Sequence, residues 1–226
     1  MNTINSCPLC KEPNICNFFQ DKVRQYFRCP TCGLIFVSSA FFLSQAEEKS
    51  RYDLHQNRPD DPGYRQFLGR IFHPLQQRLA PKSNGLDFGS GPGPTLSVMF
   101  KEKGHFVSLY DTFYAHQKEV LKRKYDFITA TEVFEHLKDP NLELKRLWNC
   151  LKPGGYLGVM TKFSLDQQSF ASWHYKNDET HICFYSKETF KWLARLWQAE
   201  ITFVAKDAAI FQKTMRLHSL LLNSSL

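Results

Sequence analysis

The spacing of apolar side chains divides the chain into stretches of different period. Near the N-terminus Ile15, Phe18 and Phe19 face Val23, Tyr26 and Phe27 across Asp21-Lys22, the pattern of a short hairpin. After Ile35-Phe36-Val37 the chain turns polar, and residues 44–65 carry Arg51-Tyr52-Asp53-Leu54-His55-Gln56-Asn57 and Asp60-Asp61-Pro62-Gly63-Tyr64. That segment reads equally as a lid over a ligand and as a solvated linker. Helical spacing then takes over, with Phe67, Leu68, Ile71, Phe72, Leu75 and Leu79 recurring on one face before Pro81. Gly85-Leu86-Asp87-Phe88 leads into Gly89-Ser90-Gly91-Pro92-Gly93-Pro94, a helical stretch at 95–103 is stopped by Gly104, and 105–110 reads as a strand ending at Asp111. Farther on, Ser186 is placed as an N-cap, and Phe190, Leu193, Ala194 and Trp197 share a helical face. Residues 200–205 and 208–212 predict a closing strand pair, and a tail begins at about Met215.

Strand, glycine loop, helix, strand and acid in that order form the βαβ unit of a doubly wound α/β sheet. Counted from Gly89 and Gly91, a dinucleotide fingerprint needs its third glycine at 94, where Pro94 stands. Asp87 at the strand end repels a pyrophosphate but suits a ligand carrying an ammonium and a sulfonium, as S-adenosylmethionine (SAM) does. Asp111, acceptor-only when ionised, then suits two ribose hydroxyls.

Cysteine spacing adds a second module. Cys7-Pro-Leu-Cys10 and Cys29-Pro-Thr-Cys32-Gly33 each set two thiols on one tight turn, and two such knuckles complete a tetrahedral all-sulfur shell for structural zinc. A redox C-x-x-C is the competing reading, and the second copy weighs against it. The piece is too short to fold on its own core, so the metal supplies the folding energy. Cys16 is expected to be a buried thiol. The chain divides into a zinc ribbon over 1–40 and an α/β domain over 41–226.

The glycine loop carries a resemblance. Residues 86–93 resemble motif I of class I SAM-dependent methyltransferases, and the likeness continues through Tyr125-Asp126-Phe127-Ile128 as the fourth strand. It goes on through Glu132-Val133-Phe134-Glu135-His136-Leu137-Lys138-Asp139-Pro140, a helix at 141–151, and Lys152-Pro153-Gly154-Gly155 entering a fifth strand at 156–161. A zinc ribbon ahead of such a domain resembles one bacterial branch of the superfamily. The resemblance implies a Rossmann-like sheet, with SAM held by Asp87, Gly89, Ser90, Gly91, Gly93, Asp111, Phe113 and Glu132. One departure stands out: only thirteen residues separate Asp111 from Tyr125, where the family has a helix, a third strand and another helix. The usual adenine-amine partner has no clear counterpart, and Phe113 is assigned to pack on the ring instead.

Glu132, Glu135 and His136 fall at i, i+3 and i+4, and are expected on one helical face at the carboxyl edge of the sheet. With His181 in Thr180-His181-Ile182-Cys183-Phe184, the pattern is similar to ubiquinone-pathway O-methyltransferases and to RNA 3′-end 2′-O-methyltransferases. In both, the resemblance implies a divalent ion, Mg²⁺ or Mn²⁺, on the accepting oxygen. His181, Glu135 and His136 are the catalytic candidates. Two readings remain, a second metal site at Glu132, Glu135, His136 and His181, or His181 as a lone general base.

Net charge is +7, or roughly +5 once four thiolates and a zinc ion are counted. That excess is compatible with RNA without requiring it. A small-molecule acceptor is the first expectation. RNA gripped by Lys11, Lys22, Arg24 and Arg28 is the second, and a non-catalytic SAM-binding scaffold the third. No run is long and apolar enough to span a membrane, and the polar N-terminus lacks a signal-peptide pattern, so a cytoplasmic location is expected. The oligomeric state is not written in these patterns.

Overall fold

The structure, a computed structural model, describes residues 6–54 and 58–215. His55, Gln56 and Asn57 of the polar segment, and the tail beyond Met215, lie outside the described residues. The N-terminal hairpin pairs β1 (Cys16–Gln20) with β2 (Gln25–Arg28), and β3 (Ile35–Val37) follows. Asp21 closes the hairpin turn by accepting from the Val23 and Arg24 N–H groups at 2.8 and 2.7 Å. The polar segment holds α1 (Gln45–Tyr52), started by a capping box between Ser44 and Glu47. Next comes α2 (Pro62–Gln76), whose first turn is capped by Asp61 with Pro62 just inside.

The α/β domain continues with β4 (Asn84–Phe88), α3 (Thr95–Glu102), β5 (Phe106–Tyr110), β6 (Tyr125–Thr131), α4 (Pro140–Cys150) and β7 (Leu151–Met160). It closes with α5 (Gln167–Ala171), β8 (Cys183–Phe184), α6 (Lys187–Trp197), β9 (Ala199–Ala205) and β10 (Ala208–Lys213). Ser186 caps α6 as expected, exchanging bonds with Thr189. Six strands form one sheet in the order β5-β4-β6-β7-β10-β9, with β5, β4, β6 and β7 parallel and β10 antiparallel to both its neighbours. The expected doubly wound, Rossmann-like α/β sheet is present.

Alternation along the strands builds two cores, one per face. Phe127, Met160, Ala208 and Ile210 pack with Leu68, Ile71 and Leu75 of α2 and Met99 and Phe100 of α3. Their immediate neighbours Ile128, Val159, Ala209 and Phe211 pack with Leu144 and Leu147 of α4 and Phe190 and Leu193 of α6. The second core also takes in the ribbon residues Leu9, Tyr26, Leu34 and Phe36.

The short stretch after Asp111 forms only a bridge from Asp111 to Ala115 and a 3-10 turn at Lys118–Lys122, so β5 is left as a sheet edge. The ribbon forms its own sheet, ordered β1-β2-β3-β8, and its fourth strand comes from the far end of the chain. Ile35 pairs with Phe184, and Phe36 with Cys183. The division after residue 40 therefore cuts the sequence without separating the sheet. Cys16 departs from expectation: it starts β1 on the outer side of the hairpin and is exposed. Among the described residues no helix is long and apolar enough to cross a membrane.

Candidate active site

A cavity of about 770 Å³ opens at the carboxyl ends of β4, β5 and β6, where doubly wound sheets place their ligands. Asp87, Gly89, Ser90, Gly91, Gly93, Asp111, Phe113 and Glu132 all line it. The glycine loop has its shape for a steric reason. Gly89 sits at φ +72°, and a Cβ there would lie 2.3 Å from Val133 Cγ2, so any side chain would push the loop off the 132–136 turn. The Gly89 N–H donates to the Tyr110 carbonyl at 2.8 Å, which ties the loop to the end of β5.

Asp111 binds the same loop from the other side. One oxygen accepts from the Gly91 N–H at 3.0 Å, and the other from the Phe113 and Tyr114 N–H groups at 2.8 and 3.1 Å. Beneath the loop Asp87 is 3% exposed and accepts from Thr129 Oγ1 at 2.8 Å. Burial pushes its carboxyl up to about 6. The Ser90 hydroxyl on the cavity wall is buried without a hydrogen-bond partner. An anionic floor, an acid beside the loop and a spare hydroxyl form a donor set that fits SAM, with its ammonium, ribose and carboxylate.

The acceptor side differs from the expected helix face. Phe134–His136 is a single 3-10 turn, and Glu132 precedes it in the left-handed region at φ +53°. The cause is local: the Glu132 N–H continues the sheet onto the Met160 carbonyl at 2.9 Å, and the Glu135 carbonyl accepts from the Ile182 N–H at 2.9 Å. These bonds leave no room for an i to i+4 ladder. Donor atoms of Glu135, His136 and His181 lie within 4.8 Å of one another. Glu132 is not in that group, which corrects its place in the expected four-residue set. The carboxylate of Glu132 stands instead 3.4 Å from the Tyr175 hydroxyl, which also donates to Glu135.

The two imidazoles share one tautomer. Nδ1 of His181 lies 2.7 Å from the Tyr175 carbonyl, and Nδ1 of His136 lies 3.1 Å from the Thr180 carbonyl. A carbonyl only accepts, so each Nδ1 carries a hydrogen, and Nε2 of His181 stands 3.7 Å from the Asp178 carboxylate. Burial, then neighbouring His136, pushes the His181 imidazole down to about 4. Burial pushes the Glu135 carboxyl up to about 7, and its second oxygen has no hydrogen-bond partner. Burial followed by repulsion from Glu135 lifts Glu132 to about 8. An orphaned buried carboxylate oxygen beside two imidazole rings is a donor set that fits a divalent cation.

In the ribbon, Cys7, Cys10, Cys29 and Cys32 bring their sulfurs within 4.8 Å of one another. Contacts cross between the knuckles, 3.6 Å from Cys7 to Cys32 and 3.3 Å from Cys10 to Cys29. Each knuckle is followed by a residue in the left-handed region, Lys11 at φ +64° and Gly33 at φ +74°. Four thiols so spaced fit the roughly 3.8 Å sulfur separations of a tetrahedral Zn–S site.

Residues 61–202 match the family described as "Methyltransferase domain". The chain belongs to this methyltransferase family. Its membership bears out the class expected from residues 86–93. Among similar curated proteins is a ubiquinone biosynthesis O-methyltransferase of Proteus mirabilis (strain HI4320), 31% identical over 94 residues, which are 41% of this chain and 38% of the relative. The enzyme of the same description from Shewanella sp. (strain ANA-3) is 29% identical over 94 residues, 41% of this chain and 39% of the relative. The match thus spans about two-fifths of these relatives' length. Among solved structures, a 1,6-didemethyltoxoflavin-N1-methyltransferase of Burkholderia thailandensis is 14% identical with a TM-score of 0.49, covering 88% of this chain and 99% of that one. A SAM-dependent methyltransferase described as putative, from Methanococcus maripaludis, is 14% identical with a TM-score of 0.49, covering 79% and 95%. At such identities neither structure informs the chemistry.

The segment read as lid or linker contributes to the site: Gln45, Glu48 and Tyr52 of α1 and Tyr64 and Phe67 of α2 line the cavity, although no apolar period marks the first three. Tyr175 and Asp178 lie just ahead of the Thr180–Phe184 stretch that holds His181, and nothing in their spacing announces a role. Arg24 is 6% exposed, and its guanidinium donates to backbone carbonyls. Of the four cations expected to grip RNA, Arg24 is therefore spent inside the protein.

Proposed function

We propose that this chain transfers the methyl group of SAM to an oxygen of a small-molecule acceptor, assisted by a divalent cation at Glu135, His136 and His181. The observation that carries the proposal is the convergence of His136 and His181, each with Nδ1 held on a backbone carbonyl, on the buried Glu135 carboxylate, whose second oxygen has no hydrogen-bond partner. The similarity to ubiquinone biosynthesis O-methyltransferases supports the choice of oxygen as the accepting atom.

Asp87, the 89–93 loop and Asp111 hold and orient the donor, so the reaction is positioned as an in-line displacement. The acceptor oxygen forms a bond to the methyl carbon, the carbon–sulfur bond breaks with its electron pair remaining on sulfur, and S-adenosylhomocysteine leaves. A hydroxyl acceptor must lose its proton, which passes to solvent water once the hydroxyl is acidified. His181, held down to about 4, is a poor match as a lone base for a phenol-like hydroxyl near neutral pH. The same depression keeps its ring neutral, as a metal ligand must be. A bound divalent ion supplies Lewis acidity that lowers the pKa of the acceptor hydroxyl.

Among the described residues the cavity wall carries seven acidic side chains, Glu48, Asp87, Asp111, Glu132, Asp139, Glu143 and Asp178, against one lysine, Lys138. Its aromatic lining of Tyr52, Tyr64, Phe67, Phe113 and Tyr114 favours a neutral or cationic small molecule over a nucleic-acid backbone. Phe113 is assigned to the adenine ring. The ribbon is assigned structural zinc, and the polar segment around α1 the role of a cover over the cavity.

The test is transfer of labelled methyl from SAM to a catechol, with its dimethyl ether as control. Methylation of the catechol that stops with chelator and returns with Mg²⁺ or Mn²⁺ is expected. Chelator-insensitive transfer following one ionisation contradicts the metal in favour of His181 as base. Equal transfer to a thiol or amine probe contradicts the choice of oxygen.

A further inference from the structure

We infer that Arg24, at the turn of the ribbon hairpin, is a positioning residue that fixes the His181 loop, so that the ribbon braces the acceptor site from outside the cavity. The inference rests on the reading of His181 as an acceptor-site group. The geometry is that of a guanidinium enclosed by one turn of chain. Nη1 of Arg24 donates to the His181 carbonyl at 3.0 Å, and Nη2 donates to the Asp178 carbonyl at 3.2 Å and to the Lys176 carbonyl. The remaining donor, Nε, reaches the Tyr26 hydroxyl at 3.1 Å.

Three carbonyls of the 176–181 segment thus converge on one side chain more than 150 residues away in sequence. Buried carbonyls need donors, and here one planar cation supplies them. Only arginine presents several donors in a rigid fork, while a lysine ammonium is a point charge that cannot span the three.

The neighbouring hairpin residues reinforce the contact. Asp21 receives the Lys176 ammonium at 3.4 Å and the Tyr26 hydroxyl at 3.1 Å, and Lys176 is 6% exposed. On the far side of the same turn the His181 N–H donates to the Asp178 carbonyl at 3.2 Å, and Nδ1 of the ring meets the Tyr175 carbonyl at 2.7 Å. The Asp178 carbonyl is therefore shared between Arg24 and His181. Through it, and through the Lys176 carbonyl next to Tyr175, the Arg24 fork sets the register in which the imidazole finds its carbonyl. Pairing of β3 with β8 ends two residues beyond His181 and anchors the segment from the other end.

The test uses the full chain loaded with zinc and no added divalent salt, with long-range proton–nitrogen NMR of the histidine rings near neutral pH. The His181 ring is assigned by its absence in His181→Gln. In the wild type His181 should show one protonated and one bare nitrogen, the signature of a fixed tautomer. In Arg24→Met the two nitrogen signals should move toward each other as the tautomers mix, with zinc content unchanged and S-adenosylhomocysteine affinity within about twofold, since the donor loop lies apart from the hairpin. Arg24→Lys keeps the charge and loses the fork, and should show the same drift to a smaller degree.

An unchanged His181 signature in folded, zinc-loaded Arg24→Met overturns the inference. Failure of both variants to fold also overturns it, because Arg24 would then serve the whole fold and not this loop. The readout needs no acceptor and no second metal. A wild type with the fixed tautomer and no methyl transfer would sink the proposed function and leave this inference standing.

Discussion

The His136 and His181 rings lie 4.8 Å apart, centroid to centroid, at 63°, and both commit the same ring nitrogen to a backbone carbonyl. Two independent segments, the turn after β6 and the loop before β8, thus deliver two imidazoles to one place. Fixing a tautomer through the far nitrogen is how proteins prepare an imidazole for a cation.

One consequence is a saturable site for a divalent ion in addition to the ribbon zinc. Titration with Co²⁺, followed by its visible absorption, should show one such site in the wild type. His181→Ala or Glu135→Ala should weaken it at least ~10-fold, since each removes a directly coordinating atom. An unaltered titration in both variants would rule out these ligands.

A second consequence concerns Asp87. Lifting a buried carboxyl from the usual 3.8 to about 6 corresponds to roughly 3 kcal/mol. The folded state holds the proton more tightly than the unfolded chain. Stability from this group is therefore complete below about pH 4 and is lost as pH rises through about 6. Asp87→Asn removes the buried charge while keeping an oxygen for Thr129. Above pH ~6 the variant should melt several degrees higher than the wild type and bind S-adenosylhomocysteine at least ~10-fold more weakly, a stability–function trade. Thermal melts at two pH values check the sign, and a variant that melts lower at neutral pH contradicts it.

Much of this arrangement is legible in the sequence, and the limits have physical causes. The βαβ unit was readable because Gly89, Gly91 and Asp111 obey local backbone rules, and the ribbon because its knuckles are local too. The missing third strand followed from a short interval alone. Local period misleads where long-range pairing overrides it. Glu132, Glu135 and His136 have helical spacing, yet Met160 and Ile182 claim the backbone of that segment for sheet and loop bonds. Arg24 looked like a surface cation because nothing near it in sequence reveals the carbonyls of Lys176, Asp178 and His181.

The close approach of Gly89 to Val133 gives a third prediction. Gly89→Ala places a methyl where the gap to Val133 Cγ2 is 2.3 Å and adds strain at φ +72°. A loss of about 2–4 kcal/mol in stability is expected, from overpacking plus the left-handed backbone. Val133→Ala in the same chain should recover part of it. Denaturant melts of the double-mutant cycle measure the coupling, and strict additivity would mean the two residues do not meet.

Loss of the ribbon metal should propagate to the acceptor side. Cys7→Ser or Cys29→Ser is expected to lose zinc and to raise hydrogen exchange in β3, β8 and the loop carrying His181, because these share one sheet and core. Exchange in β4 and the glycine loop should change far less. Full zinc retention in both variants, or uniform deprotection of the whole chain, would contradict this coupling.

The central claim is that the cavity built by Asp87, the glycine loop and Asp111 is a SAM site, and calorimetry with S-adenosylhomocysteine tests it most directly. The wild type should bind one molecule per chain. Asp111→Ala removes the proposed ribose acceptor and the carboxylate that gathers the Gly91, Phe113 and Tyr114 N–H groups. It should weaken binding by about 1–3 kcal/mol, roughly 5- to 150-fold. Absence of binding by the wild type, or unchanged affinity in folded Asp111→Ala, would contradict the account.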